Sequence, residues 1–247
     1  MKWSEWLGGV FAGKESKTTN KSCQVAEWEE MKEEKGGIFR IRTAGHLFWV
    51  SRMVNQKGYN FQDKTLILES DIDLGGYEWT PIGLSLQKSF CGVFDGCGKS
   101  ISGLRIDSGE AYVGFFGVVT GVNKLMMAEI CRLHLADAQI SGKRPGAYVG
   151  GLIGYAQEGV RIDKCSVSGR VESTYCAGGI VGCGEDCVSI RNCQCSGQVG
   201  SHEIVGGVVG ELVTNSIIVN CGNFMNDRYG RPEDLIVGRM DETSMVR

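Results

Sequence analysis

The sequence predicts an all-β fold, a parallel β-helix of about 28 residues per rung with an N-terminal α-helical cap. Two motifs with one shared period carry that prediction. Val149-Gly150-Gly151-Leu152-Ile153-Gly154, Ala177-Gly178-Gly179-Ile180-Val181-Gly182 and Val205-Gly206-Gly207-Val208-Val209-Gly210 stand in register, and their last glycines are 28 residues apart each time. Ile162-x-x-Cys165, Ile190-x-x-Cys193 and Ile218-x-x-Cys221 keep the same step. A fixed step of this length marks stacked units, none of which can bury its apolar face alone. Composition agrees: 37 glycines against three prolines in 247 residues indicate many tight turns between short strands.

In chain order, residues 1–37 read as a tail or docking segment, 38–225 as the capped β-helix and 226–247 as a C-terminal cap or tail. Trp3, Trp6, Leu7, Val10 and Phe11 have near-helical spacing interrupted by Gly8-Gly9. Val25 to Lys35 predicts a short helix closed by Gly36-Gly37. Ile38-Phe39-Arg40-Ile41 alternates as a strand does, and Thr43 then caps a helix through about Asn55 that Gly58 ends. That helix stands where the first rung needs cover. From Thr65 onward the chain reads as short strands, with Val113-Gly114-Phe115-Phe116-Gly117 a degenerate glycine block 37 residues ahead of Gly154. Each regular unit is expected to hold about three strands. The glycine block supplies one, the Ile-x-x-Cys stretch another, and Ser-Gly at 141–142, 168–169 and 196–197 a turn.

An ordered series then acquires a family likeness. It runs Ile41-x-Thr43-Ala44-x-x-Leu47 with Val54-Asn55, Asp71-Ile72-Asp73-Leu74, Trp79-x-Pro81-Ile82-Gly83, Phe94-Asp95-Gly96-x-Gly98 and Ile101-Ser102-Gly103-Leu104, followed by the Gly-Gly blocks. From roughly residue 38 to 223 the chain resembles the GLUG-motif proteins, β-helical bacterial cell-surface and adhesin-like proteins, some attached to IgA-type metallopeptidases. The resemblance implies a right-handed β-helix and no catalytic residues, because its motifs are turn and core positions.

Charge narrows the partners. With 26 Lys and Arg against 29 Asp and Glu there is no basic surplus for a nucleic-acid backbone. No apolar run is long enough for a transmembrane helix. Residues 1–11 lack the apolar core of a secretory signal, and eleven cysteines is an odd number. Together these predict free thiols and a cytoplasmic or virion-associated location, with export to a surface as the alternative.

The chemistry-bearing residues divide as follows. Cys183 and Cys187 fall in a probable turn and form the one loose metal candidate, but a structural zinc site needs two knuckles. Cys165, Cys193, Cys195 and Cys221 fit a stacked interior ladder of small apolar side chains. No metal or other cofactor is therefore assigned. His46, His134 and His202 are scattered in register and do not suggest a triad or metal site. Asp71 and Asp73, about 7 Å apart on one strand face by strand rise, form with Asp95 and Asp107 the only carboxylate set suited to glycoside hydrolysis. Against that role, Asp-Gly and Asp-Ser pairs commonly cap turns. The glycine-rich blocks do not lead from a strand into a helix, so no phosphate cradle is expected.

These observations predict a non-catalytic binding or assembly scaffold that presents its faces to a protein or glycan partner. Trp3, Trp6, Phe11 and Trp28 serve partner binding or self-association in that reading. One alternative is a carbohydrate-active hydrolase or lyase using the four aspartates. Another is an intracellular phage or bacterial conflict-system protein that captures a partner. Specificity is expected off the repeat, in the tail, residues 84–100 and 118–132, and the C-terminal end.

Overall fold

The computed structural model describes residues 27–122, 127–227 and 235–247. They form a parallel β-solenoid of about seven turns, with one helix. Alternation in the first strand, Ile38–Ile41, buries Phe39 and Ile41 and leaves their neighbours partly exposed. It pairs in parallel with Thr65–Leu68, and the ladder continues through Val93–Asp95, Ala128–Cys131, Val160–Asp163, Ser189–Arg191 and Ile217–Val219 to Met245–Val246, an eight-stranded sheet. A seven-stranded sheet starts at Ile72–Asp73 and ends at Gly222–Asp227. Four- and five-stranded sheets hold the glycine blocks.

Each regular rung holds four strands, one more than the sequence predicts. The glycine block splits into Tyr148–Gly150 and Ile153–Gln157, on different sheets, with Gly151 and Leu152 at the corner between them. The split requires very close backbone contact. A Cβ on Gly150, Gly178 or Gly206 would meet the carbonyl oxygen of Ile153, Val181 or Val209 across the corner. The expected Ser-Gly turns are also different in kind. Ser168-Gly169 and Ser196-Gly197 pair with one another inside strands that bend there, Gly169 at φ 131° and Gly197 at φ 115°. Ser141-Gly142 is out of step with them and pairs with Glu172 and Ser173.

The rungs turn at left-handed residues that the chain places one before an inward side chain. Arg132, Lys164, Asn192 and Asn220 have φ between 52° and 55°, and each precedes Leu133, Cys165, Cys193 or Cys221. Asparagine tolerates this conformation best, because its short side chain bonds locally. Here it also bonds along the stack: Asn220 Nδ2 donates to Asn192 Oδ1 at 2.8 Å, and Asn192 Nδ2 to Asp163 Oδ1 at 2.8 Å. The cysteine ladder lies in the core, with Cys165, Cys193 and Cys195 buried and Cys221 half-buried in the last full rung. No disulfide joins the ten cysteines among the described residues.

The core is filled differently toward its two ends. Ser189 pairs with Ile217 and Ile217 with Met245, steps of 28 residues, and these rungs are filled by Ile, Val, Ala and Cys. Nearer the cap, Ile38 pairs with Thr65, Thr65 with Val93 and Val93 with Glu129, steps of 27, 28 and 36. That part is filled by Phe61, Phe90, Phe94, Phe115 and Phe116, all fully buried, with Trp79 stacked on Phe115 at 4.9 Å.

Helix Ala44–Lys57 covers the first rung, as its position in the sequence predicts. Thr43 Oγ1 accepts from His46 N–H at 3.2 Å at one end, and Gly58 adopts φ 68° at the other. Leu47, Val50 and Val54 are fully buried beneath it. Asn55 fastens it to the next rung, donating to Pro81 O at 2.8 Å and accepting from Gly83 N–H at 2.9 Å. The short helix expected over 25–35 is not formed by the described part of that segment. Residues 27–33 run without regular structure along the Ala44–Lys57 helix, Glu29 N–H donating to Gly45 O at 3.0 Å, and Glu34 bridges to Ile38. A run of five glutamates with few apolar positions gives a helix little to bury, and tertiary contacts win.

The close approach at the glycine corners is testable. Gly178→Ala is expected to cost about 1–3 kcal/mol in a denaturant titration, as overpacking does. Gly109→Ala, where nothing lies within 4 Å, is expected to be neutral in the same titration.

Candidate functional site

The outward rows of the seven-stranded sheet carry a groove that gathers polar side chains from several rungs. The sheet bends where Gly103 (φ 69°), Asp137 (φ 53°), Gly169 and Gly197 interrupt its strands, and Ala138, Gly169 and Gly197 are in register. Past the bend, outward positions fall into two rows. One runs Arg105, Gln139, Arg170, Gln198, each the register partner of the next. The other, two residues further along each strand, runs Asp107, Ser141, Glu172. The turn Gly75-Gly76-Tyr77-Glu78 forms a wall beside them. Asp73 Oδ1 accepts from Gly75 N–H at 2.7 Å to shape that turn, and Tyr77 is held edge-on against Phe48 at 5.5 Å.

The charges in the groove pair with one another. Arg105 Nη1 donates to Gln139 Oε1 at 2.9 Å, Lys143 Nζ to Asp107 at 2.5 Å, and Arg170 to Glu172 at 2.5 Å. The lining holds Arg105, Lys143 and Arg170 with Glu78, Asp107 and Glu172, so it carries no net charge. Such exposed pairs add little stability. They do present fixed donors beside fixed acceptors.

Of the four candidate aspartates, only Asp107 lines this groove. Asp71 accepts from Ser100 N–H at 2.7 Å and Ser100 Oγ at 3.1 Å, and the backbone bond holds its carboxyl below the usual range. Asp95 belongs to the eight-stranded sheet, away from the strand that holds Asp73. Burial raises its pKa, but bonds from Arg132 and from Cys97 N–H outweigh that and hold it low. The structure therefore does not bring the four carboxylates together.

Cys183 is buried on a strand, and Cys187 sits half-buried at a left-handed corner, φ 66°. Burial pushes the Cys183 thiol up, and Glu211 nearby adds to the effect. Among the described residues no three His, Cys, Asp or Glu side chains are placed to hold a metal ion. Trp28 is exposed, with the Arg52 guanidinium 4.9 Å over its ring. Trp3, Trp6 and Phe11 lie outside the described residues.

A second cluster, missed by the sequence reading, fills the angle between the four- and five-stranded sheets. Tyr155, Cys183, Glu211 and Arg239 are register partners on successive rungs. Tyr112 and Tyr155 meet at 4.9 Å, and Tyr148 and Tyr175 at 5.4 Å. Glu211, only 8% exposed, accepts from Tyr148 Oη at 3.2 Å and Arg239 Nε at 2.6 Å, and Arg239 also reaches Tyr175 Oη at 3.2 Å. Burial pushes the neighbouring Cys176 thiol up to about 12. These contacts tie the last rung to the rungs before it. The 28-residue step from Cys183 to Glu211 to Arg239 was the available signal.

The fold and site define a parallel β-solenoid, and comparison with known proteins places it. A family model described as "The GLUG motif" matches residues 146–172, one rung of the regular stack. No curated protein matches the chain. A crystal structure described as "a putative immunoglobulin A1 protease from Bacteroides ovatus" is similar, with a TM-score of 0.68 and 19% identity over 89% of this chain. The match spans 66% of that protein's chain, and at this identity it shows the fold alone.

Two variants test these assignments. Arg239→Ala leaves Glu211 a buried carboxylate with one partner fewer. With Arg239 half-exposed, the expected loss is about 1–2 kcal/mol, read as faster amide exchange over Val237–Met240. Asp95 has a folded pKa below its unfolded one, so its contribution is complete above the ordinary value of about 3.9 and is lost as pH falls through the folded value. Asp95→Asn is expected to lower stability at neutral pH and to flatten its decline below about pH 4.

Proposed function

We propose that this chain is a non-catalytic binding scaffold of the adhesin-like kind, and that its ligand face is the polar groove on the seven-stranded sheet. The observation that carries this reading is the groove itself. Its two rows of long polar side chains are set on consecutive parallel strands, held by backbone that ligand binding does not need to reorganise. Such preorganisation favours affinity, because little side-chain or loop freedom is lost on binding.

Support for a role without chemistry comes from the acids. Asp71, Asp73 and Asp95 accept backbone N–H bonds that shape turns and strand ends, and Asp107 is paired with Lys143. A retaining or inverting glycosidase instead needs two carboxyl groups facing each other across a scissile bond. The partner-binding role of Trp3, Trp6, Phe11 and Trp28 belongs to the same proposal as a second, docking contact.

The double variant Arg105→Ala/Arg170→Ala is expected to lose ligand capture by about tenfold or more while melting within a degree or two of the parent. Release of reducing ends or unsaturated sugars from any captured glycan would overturn the non-catalytic reading.

A further inference from the structure

We propose that the groove takes a neutral, linear oligosaccharide lying along the solenoid axis, with one sugar residue per rung. This rests on the groove being the ligand face and names what it binds. Register supplies the first argument. Arg105, Gln139, Arg170 and Gln198 repeat once per rung, about 4.8 Å apart for parallel strands. An extended β-linked pyranose chain advances by about one rung per residue, and because alternate residues turn over, it presents the same face at every second rung. An extended peptide advances about 3.3 Å per residue, so its successive residues do not fall on successive rungs. Arg105–Ser108 pairs with a strand on one side only, so a peptide strand adding at that edge is the competing occupant that the titrations below separate.

Donor and acceptor placement supplies the second argument. The arginine and glutamine row offers N–H donors, and the row two residues further along offers the acceptors of Asp107, Ser141 and Glu172. A sugar hydroxyl both donates and accepts, so a ring lying between the rows satisfies one partner on each side. Planar guanidinium and amide groups suit vicinal diols in particular, because each can present two bonds in one plane.

Charge supplies the third. The basic groups of the groove are matched by Glu78, Asp107 and Glu172, and Lys143 and Arg170 already have carboxylate partners. A polyuronate or nucleic acid would have to displace those carboxylates, whereas a neutral chain keeps both pairs. Tyr77 at the wall, fixed by Phe48, offers an aromatic face of the kind a sugar's apolar face packs against.

The test uses the full chain and calorimetric titration with β-linked gluco-, xylo- and manno-oligosaccharides of increasing length, and with oligogalacturonides of the same lengths. At least one neutral series is expected to bind, with affinity rising per added residue until the four rungs from Arg105 to Gln198 are filled and then levelling. Arg105→Ala, Gln139→Ala and Arg170→Ala should each weaken binding about tenfold and shorten the length at which affinity levels. Added salt should change little. Binding that prefers uronates and fades with salt, affinity independent of length, or no binding by any neutral series would each overturn the assignment. Capture of a peptide or protein that is lost in the Arg105→Ala/Arg170→Ala variant would overturn the sugar and leave the scaffold standing. Cleavage of a bound neutral sugar would do the reverse.

Discussion

Everything in this molecule depends on backbone stacking in register. Each rung leaves its N–H and C=O groups pointing along the axis, and only the next rung satisfies them. In-register stacking then repeats every choice: an inward residue forms a core ladder, and an outward residue forms a surface row. A single residue out of step would send the apolar set outward. That penalty explains why the corners are so strictly built. Glycines permit the close passage at Gly150, Gly178 and Gly206, and left-handed Asn192 and Asn220 are bonded to their neighbours above and below.

The core divides in two along the axis. Toward the C-terminal rungs Val, Ile, Ala and Cys fill the space. Toward the cap, in rungs with steps of 27, 28 and 36 residues, a phenylalanine cluster fills it with Trp79, whose indole N–H reaches Phe115 O at 3.0 Å. Close packing demands this exchange of shape for volume. The buried cysteines belong to the C-terminal half as small apolar side chains. Burial raises the thiols of Cys176, Cys183 and Cys195, which keeps them protonated and unreactive. Packing thus accounts for the buried thiols.

The repeat was legible because its spacing is constant where glycine and cysteine recur. The cap helix was legible too, through Thr43, Gly58 and an apolar stripe. Strand number was not. Period alone cannot tell that Gly150-Gly151 turns the chain from one sheet to another, since the turn arises from contact with the rungs on either side. Ser141-Gly142 misled for a related reason: the dipeptide matches Ser168-Gly169 in composition but not in register. The expected helix near 25–35 rested on local propensity, which contacts to Thr43, Lys64 and Gly45 override.

The groove was illegible for a more instructive reason. Arg105 and Gln139 are 34 residues apart in sequence, yet they are neighbours. Gln139 and Arg170 are register partners at a step of 31, and Arg170 and Gln198 at 28. The irregular steps come from rungs of unequal length and from the bulge at Asp137, across which the step to the next strand falls from 32 residues at Leu135 to 31 at Ala138. A search at the constant period of 28 aligns Arg170 with Gln198 but neither Arg105 nor Gln139 with them. The irregularity that hides the row also makes it, because the bend through Asp137, Gly169 and Gly197 gives the sheet the angle in which the rows stand. In a perfectly regular stack the outer face would be flat. Here the regular rungs supply rigidity, and the departures from regularity supply the concave surface on which a ligand can be held.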